Sequence, residues 1–353
     1  MLLLKPPLLA KNDRTIVRSR APLRISFCGG GTDVPPYPER FGGCVLSATI
    51  DKYAHVSTRG TGDLFVRAVC EEQGVDAVFQ PRGGLELEGK MDLAQAIFRR
   101  FSACGLECYI NADAPPGSGL GSSSTMIVAL IEALCRQCNM NLSKDEKAEL
   151  AIEIERNDLH IMGGMQDQYA ASFGGFNFIE FTGSGTFVTP LRLPEETIAD
   201  LHLHLLLCYT GKTRFSGAIL SEQTANVVNE DPLVLDSLAT LKELTIELKR
   251  SLLKGRLFEF GSLLDEAWSL KRNLASSITN SHIDEIYEAA KSAGALGGKL
   301  LGAGGGGHLL LFVPFNKRVR VRTEMERFGG HVVDFQFERQ GAVSWMSTDR
   351  TWT

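Results

Sequence analysis

Residues 115–124 read Pro-Pro-Gly-Ser-Gly-Leu-Gly-Ser-Ser-Ser, and no other stretch limits the fold so tightly. A strand-like run, 106–111, leads straight into it, and behind it Met126, Ile127, Leu130, Ala133 and Leu134 recur at helical spacing. Glycines at 117, 119 and 121 allow backbone to approach where side chains would block it. A helix beginning near Ser122 turns unpaired N–H groups and the positive end of its dipole toward the same loop. Together these features suit a phosphate-sized anion, and serine hydroxyls are suitable Mg²⁺ ligands beside phosphate oxygens. The alternative is a bare glycine turn with no ligand. The loop lacks the Gly-Lys-Ser/Thr ending of a Walker A motif, and its glycines are spaced G-x-G-x-G rather than G-x-G-x-x-G.

A second glycine run, Gly302-Ala303-Gly304-Gly305-Gly306-Gly307, does match G-x-G-x-x-G by letter. It leads into His308-Leu309-Leu310-Leu311-Phe312-Val313, a buried-strand pattern where a dinucleotide motif needs a helix. The expectation is a backbone surface that packs on another loop or on a ligand.

Two carboxylates stand out. Ser143-Lys144-Asp145-Glu146 has the form of a capping box. On the helix it would start, running to about His160, the stripe Ala148, Ala151, Ile152 and Leu159 carries Glu155 toward the core. A buried carboxylate needs a partner, either a metal or a cation such as an arginine. Asp167 comes after the Met162-Gly163-Gly164 turn, placed to act as a base or carboxylate orienter, or simply to cap a helix.

Composition narrows the function. The chain has 353 residues, with 37 basic and 42 acidic side chains and a net charge of −5, and the charges are spread along it. A nucleic-acid binder would show a basic excess or stripe, so any bound anion is a small one held locally. Eight cysteines include one Cys135–Cys138 CxxC with no histidine pair behind it, which points to reduced, buried thiols and not to zinc. Residues 1–10 are apolar but broken by Pro6 and Pro7, and no stretch is long enough to span a membrane, so a cytoplasmic protein is expected. At this length two domains are expected, 15–192 and 193–353, with a linker near 189–196. Strands are expected at 15–27, 44–50, 54–58, 64–69, 201–208 and 308–313. Helices are expected at 91–101, from Ser143 and, as two or three long stretches, over 220–293. The alternation of strands and helices argues for two α/β layers.

Three segments in order resemble the GHMP kinase superfamily, which includes galactokinase, homoserine kinase and mevalonate kinase. They are Ala21-Pro22-Leu23-Arg24-Ile25-Ser26-Phe27-Cys28-Gly29-Gly30-Gly31-Thr32-Asp33, the 115–124 loop, and Lys299-Leu300-Leu301 with the glycine run behind it. The resemblance implies an α+β fold of two domains, the first like domain 2 of ribosomal protein S5 and the second a ferredoxin-like α/β sandwich. It implies ATP and Mg²⁺, a phosphosugar acceptor, and no nucleic-acid or membrane partner; a homodimer is compatible with it. ATP would be held by Pro116, Gly117, Ser118, Gly119, Leu120, Gly121, Ser122, Ser123 and Ser124, and the metal by Ser123 and Glu155. Asp167 and Arg24 would be catalytic. The acceptor would lie against Gly30, Gly31, Thr32, Asp33, Gly164, Asp167, Gly305 and Gly306.

Galactokinases carry Gly-Glu-His-Thr-Asp where this chain has Gly29-Gly30-Gly31-Thr32-Asp33, which argues against galactose. With Tyr209-Thr210-Gly211-Lys212-Thr213-Arg214 and Trp268-Ser269-Leu270-Lys271-Arg272, the pattern is similar to kinases that phosphorylate the anomeric hydroxyl of D-glycero-D-manno-heptose 7-phosphate. Lys212, Arg214, Lys271 and Arg272 would then supply cations for the 7-phosphate. A fucokinase-like sugar-1-kinase is the alternative, and a non-catalytic binding protein of the same fold a further one.

Overall fold

The computed structural model describes residues 15–80, 91–211 and 217–348. The chain opens with β1 (Thr15–Cys28), a short helix α1 (Tyr37–Phe41) and the long β2 (Gly43–Gly60). After β3 (Val66–Cys70) and β4 (Val75–Phe79) come α2 (Asp92–Arg100), β5 (Leu106–Ala112), α3 (Ser122–Gln137), α4 (Lys144–Glu153) and α5 (Gln166–Phe173). A hairpin, β6 (Phe176–Thr182) and β7 (Gly185–Pro190), leads to α6 (Glu195–His204) and β8 (Leu205–Tyr209). Four helices come next: α7 (Gly217–Val228), α8 (Pro232–Leu253), α9 (Leu257–Lys271) and α10 (Ser281–Ala293). Last are β9 (Gly297–Leu300), β10 (His308–Phe312), α11 (Arg318–Arg327), β11 (His331–Val333) and β12 (Val343–Thr348).

One sheet has the order β12-β1-β2-β5-β3-β4, with β6 also on β2 and β7 on β6; the other is β11-β8-β10-β9. Among the described residues all pairs are antiparallel except β3 with β5. The second half of the chain does not stay apart from the first. β12 returns to pair with β1, Thr15 opposite Thr348. Leu23, Ile25 and Phe27 of β1 share one hydrophobic core with Leu206 of β8, Trp268 of α9 and Leu310 of β10. A second core, including Val17, Phe98, Ile127 and Leu130, lies between the first sheet and α2 and α3.

Several expected boundaries move, each for a physical reason. The two strands expected at 44–50 and 54–58 are one strand, because the polar pair Asp51-Lys52 sits in a bulge opposite Leu23. There Asp51 accepts from the Gln336 N–H at 2.7 Å. The strand expected from Leu201 begins only at Leu205, after α6, since a short apolar run suits either state. The stretch 220–293 holds parts of four helices, broken at Asp231, Arg256 and Asn280, where Asp231 and Asn280 are side-chain caps. The helix expected from Ser143 to His160 is α4 followed by a π turn over Ile154–Asp158.

The Ser143 capping box forms in full: its hydroxyl accepts from the Glu146 N–H at 3.1 Å, and Glu146 accepts from the Ser143 N–H at 2.7 Å. Ser143→Ala is expected to cost about 1 kcal/mol, read as a lower midpoint in chemical denaturation at unchanged slope.

Candidate active site

The site begins with a break in a strand. Pro22 has no N–H to give the ladder, and the pairing of β1 with β2 slips between Pro22 and Arg24. The Arg24 N–H is thereby released to the Leu120 carbonyl, 3.1 Å away in the 115–124 loop. Because successive strand side chains alternate, Leu23, Ile25 and Phe27 enter the core while Arg24 and Ser26 take the other face. Arg24 is buried, with Nε 2.7 Å from Asp167 Oδ1 and Nη1 donating to the Gly119 carbonyl at 2.6 Å. One guanidinium thus ties β1 to the loop and to the start of α5.

The loop has the expected form. Gly117, Gly119 and Gly121 have φ of 76°, 84° and 80°, which favours glycine at each. The rim at 115–117 and Ser123 are exposed, whereas Ser118, Leu120 and Ser122 are buried. Gly121 is the N-cap of α3 and brings no side-chain cap, so the first turn points N–H groups outward as an anion site requires. A Cβ at Gly121 would lie 2.9 Å from Asp167 Oδ2, so the Asp167 carboxylate rests directly on the end of the loop.

The second glycine run packs against this loop. A Cβ at Gly302 would stand 2.6 Å from Gly119 Cα, and one at Gly307 2.5 Å from the Ser118 carbonyl oxygen. The His308 N–H donates to the same oxygen at 3.0 Å. Gly305 and Gly306 are buried, with the Gly305 N–H on the Ile278 carbonyl. These glycines shape the wall behind the phosphate loop.

Glu155 is buried on the π turn, as the apolar stripe implied. Ser124, not Ser123, meets it: Ser124 Oγ donates to Glu155 Oε1 at 2.8 Å, and Gln168 Nε2 donates to Oε2. Neighbouring residues on a helix point about 100° apart, so Ser123 faces solvent beside Ser124. The arginine alternative is also present, with Arg156 Nη1 3.6 Å from Glu155 Oε2. Burial pushes the Glu155 carboxyl above its usual range, opposed by Arg156, Ser124 and Gln168. Burial likewise raises Asp167, opposed by Arg24 and reinforced by Asp33.

The expected acceptor-side residues divide. Asp33 is fully buried and its carboxylate takes three N–H groups, from Gly31, from Gln166 and from the Gln166 side chain. Thr32 bonds to Gly29 and Cys44 backbone, and Gly164 lies over Asp33. Lys271 is buried, its ammonium on the carbonyls of Leu300 and Gly302. Arg272 is half-exposed and pairs with Asp284 at 3.2 Å. Lys212 and Arg214 lie outside the described residues.

Comparison with known proteins gives the family. Residues 90–175 match the model for the GHMP kinases N terminal domain, and 248–331 the model for the GHMP kinases C terminal region. The chain is 33% identical over 336 residues to a D-glycero-alpha-D-manno-heptose 7-phosphate kinase of Campylobacter jejuni, covering 93% of this chain and 98% of that protein. This chain belongs to the GHMP kinase family. A solved D-glycero-D-manno-heptose 1-phosphate kinase from "Bacteriodes thetaiotaomicron" superposes with a TM-score of 0.78 at 32% identity, over 93% of this chain and 98% of that one. An L-fucokinase/L-fucose-1-P guanylyltransferase of Bacteroides fragilis is 29% identical over 84% of this chain, which spans 34% of that longer protein. These relatives are sugar kinases, and this chain is a phosphotransferase with an alcohol acceptor.

Within that activity the fold assigns work to residues that the motifs alone do not mark. Gln166 and Gln168 flank Asp167 in the segment Met165–Tyr169, where the motif points only to the aspartate; both side chains are buried and bonded to a carboxylate. Lys299 opens the third motif, and its ammonium donates to the Ser26 carbonyl at 2.8 Å. Burial lowers Lys299 to about 8 and holds Lys271 well below its ordinary value, with Lys299 and Arg24 adding repulsion. Glu155 and the Ser124 hydroxyl that meets it are oxygen donors of the kind a hard cation such as Mg²⁺ takes.

Lys271 therefore holds the glycine wall in place. In Lys271→Met the Leu300 and Gly302 carbonyls lose this donor, which costs about 1–3 kcal/mol of stability. The wall slackens against Gly119, so KM for ATP is expected to rise severalfold while KM for the acceptor stays close to its starting value. Thermal unfolding and two-substrate kinetics check both parts.

Proposed function

We propose that this chain transfers the γ-phosphoryl group of ATP to the anomeric hydroxyl of D-glycero-D-manno-heptose 7-phosphate, giving the 1,7-bisphosphate. Phosphoryl transfer asks chiefly for positioning and for stabilisation of charge. The Arg24–Asp167 pair, set against Gly121 at the head of the phosphate loop, carries the reading. In this scheme N–H groups of the loop and of the first turn of α3 hold the ATP phosphates. Asp167 accepts or orients the proton of the attacking hydroxyl, and Arg24 keeps that carboxylate ionised and faces the transferring charge. Ser123 and Ser124 with Glu155 would hold Mg²⁺, which when bound neutralises charge on the phosphate oxygens. Choice of the heptose rests on the extent of similarity to the Campylobacter kinase and on the Gly29-Gly30-Gly31-Thr32-Asp33 turn.

The fucokinase-like alternative is separated by one assay. ADP release is measured with heptose 7-phosphate, free mannose-type sugars, fucose and galactose in turn. A site built to bind the second phosphate should favour heptose 7-phosphate in kcat/KM by about a hundredfold or more. Equal use of fucose or of an unphosphorylated sugar would overturn the heptose reading and leave the kinase class intact.

A further inference from the structure

Three glycines stand in a row in the turn after β1, and the fold requires only two of them. A Cβ on Gly29, where φ is 88°, would fall 1.9 Å from the Cys44 carbonyl oxygen. Gly31 has φ of 111°, and a Cβ there would press on Leu274 Cδ1 at 2.9 Å. Gly30 is under neither constraint. Its φ lies outside the left-handed region, and a Cβ would meet Gln166 Nε2 at 3.4 Å and Ser26 Oγ at 3.6 Å, ordinary contact distances. Backbone and packing would both accept alanine at 30, so what the glycine keeps is the space itself. Gly30 is part-exposed, and the space is reached from outside.

The two side chains that border this space carry polar atoms that the protein leaves unused. Ser26 is 3% exposed and Gln166 8%, yet Ser26 Oγ and Gln166 Oε1 have no hydrogen-bond partner among the described residues. Burying an unpaired hydroxyl or amide oxygen costs stability, so each calls for an occupant. The Gln166 amide is held in its orientation, because Nε2 donates to Asp33 Oδ2 at 3.1 Å. Ser26 shares a strand face with Arg24, two residues and about 7 Å away, which is the scale of one sugar ring. Gln166 directly precedes Asp167. The space therefore adjoins the Arg24–Asp167 pair and Asp33, the residue that the family resemblance gives to the acceptor. Its chemistry selects a neutral group. Gln166 Oε1 needs a donor, which a phosphate dianion lacks, and the Asp33 carboxylate behind Nε2 repels an anion. The Lys299 ammonium is engaged by the Ser26 carbonyl at 2.8 Å.

We infer that Gly30 keeps open a subsite for one uncharged, hydroxyl-bearing part of the acceptor, and that Ser26 Oγ and the Gln166 amide bind it and so help to choose the acceptor. The inference rests on the reading of the Arg24–Asp167 pair as the place where the acceptor reacts.

The test compares Ser26→Ala and Gly30→Ala with the wild type, using the acceptor that the wild-type protein phosphorylates fastest. Ser26 Oγ has no partner to lose, so the thermal midpoint of Ser26→Ala without ligands should be at or above the wild-type value. Its kcat/KM for the acceptor should fall about five- to tenfold, the loss of one hydrogen bond, while KM for ATP stays unchanged. Gly30→Ala should keep its midpoint and lose about tenfold or more in the same ratio, because a methyl group takes the space. Acceptors each lacking one hydroxyl then identify the bound group. One of them should lose rate with the wild type and lose no further rate with Ser26→Ala. A kcat/KM within twofold of wild type in either variant overturns the inference. So does a lowered midpoint in Ser26→Ala, which would make its hydroxyl structural, or a deoxy series in which every penalty persists. Should Gly30→Ala not fold, Ser26→Ala decides alone. The reading of the Arg24–Asp167 pair fails separately, by near-normal turnover in Asp167→Asn.

Discussion

Asp167→Asn is expected to lose about a hundredfold or more in turnover, with KM for ATP within a few fold of the starting value. The change is nearly isosteric, and the amide oxygen can still accept from Arg24, so the loop, α5 and the pocket around Gly121 keep their places. The capacity to take a proton disappears. The same argument fixes a pH dependence. Burial raises the Asp167 carboxyl, Arg24 opposes the rise, and the net direction is upward. A base works only when ionised, so activity falls as pH drops through a value above the usual carboxylate range of about 4. Wild-type kcat/KM should therefore show an acid limb above that range, and the residual rate of Asp167→Asn should lack it. Initial rates of ADP release across the acidic range read both. Near-normal turnover in the variant would remove Asp167 from the chemistry.

How much of this was legible in the sequence depends on the reach of each interaction. The 115–124 loop, the Ser143 capping box and the burial of Glu155 are local: glycine positions, an i,i+3 pair and a 3.6-residue stripe state them outright. Ser123 and Glu155 were expected as joint metal ligands, and the hydroxyl in direct contact with Glu155 is that of Ser124. The start of α3 at Ser122 is as expected, but consecutive serines on a helix point about 100° apart, and which of them faces Glu155 depends on how α3 lies against the π turn, which the loop's own sequence does not encode. Lys271 and Arg272 look equivalent as neighbouring cations, yet one is buried on two carbonyls and the other half-exposed beside Asp284. That difference depends on β9 and the glycine wall coming back against α9, which no spacing within 268–272 encodes. The pairing of Asp33 with Gln166 spans 133 residues and is illegible for the same reason. The return of β12 to β1 crosses most of the chain, so the expected split near residue 192 describes the order of segments better than it describes the packing.

Arg24→Met is the second large effect, and it separates structure from chemistry. Arg24 makes three connections at once: the guanidinium on Asp167, Nη1 on the Gly119 carbonyl, and the backbone N–H on the Leu120 carbonyl. Methionine keeps most of the stem and leaves the backbone bond in place, but removes the charge and every side-chain donor. Stripping one partner from a buried ion pair typically costs about 3–5 kcal/mol. The low end applies here, because the Asp167 side chain is 19% exposed and can relieve itself by taking up a proton. That proton uptake is the chemical consequence. Without the guanidinium the Asp167 carboxyl climbs further, and the acid limb of kcat/KM moves to higher pH than in the wild type. Turnover at neutral pH should fall about a hundredfold, from a base less often ionised and from lost stabilisation of the transferring charge. Arg24→Lys should recover stability better than rate, since one ammonium cannot serve Asp167 and Gly119 together as the planar fork does. An acid limb that stays at its wild-type position in Arg24→Met would mean that Arg24 supports the fold and not the ionisation of Asp167.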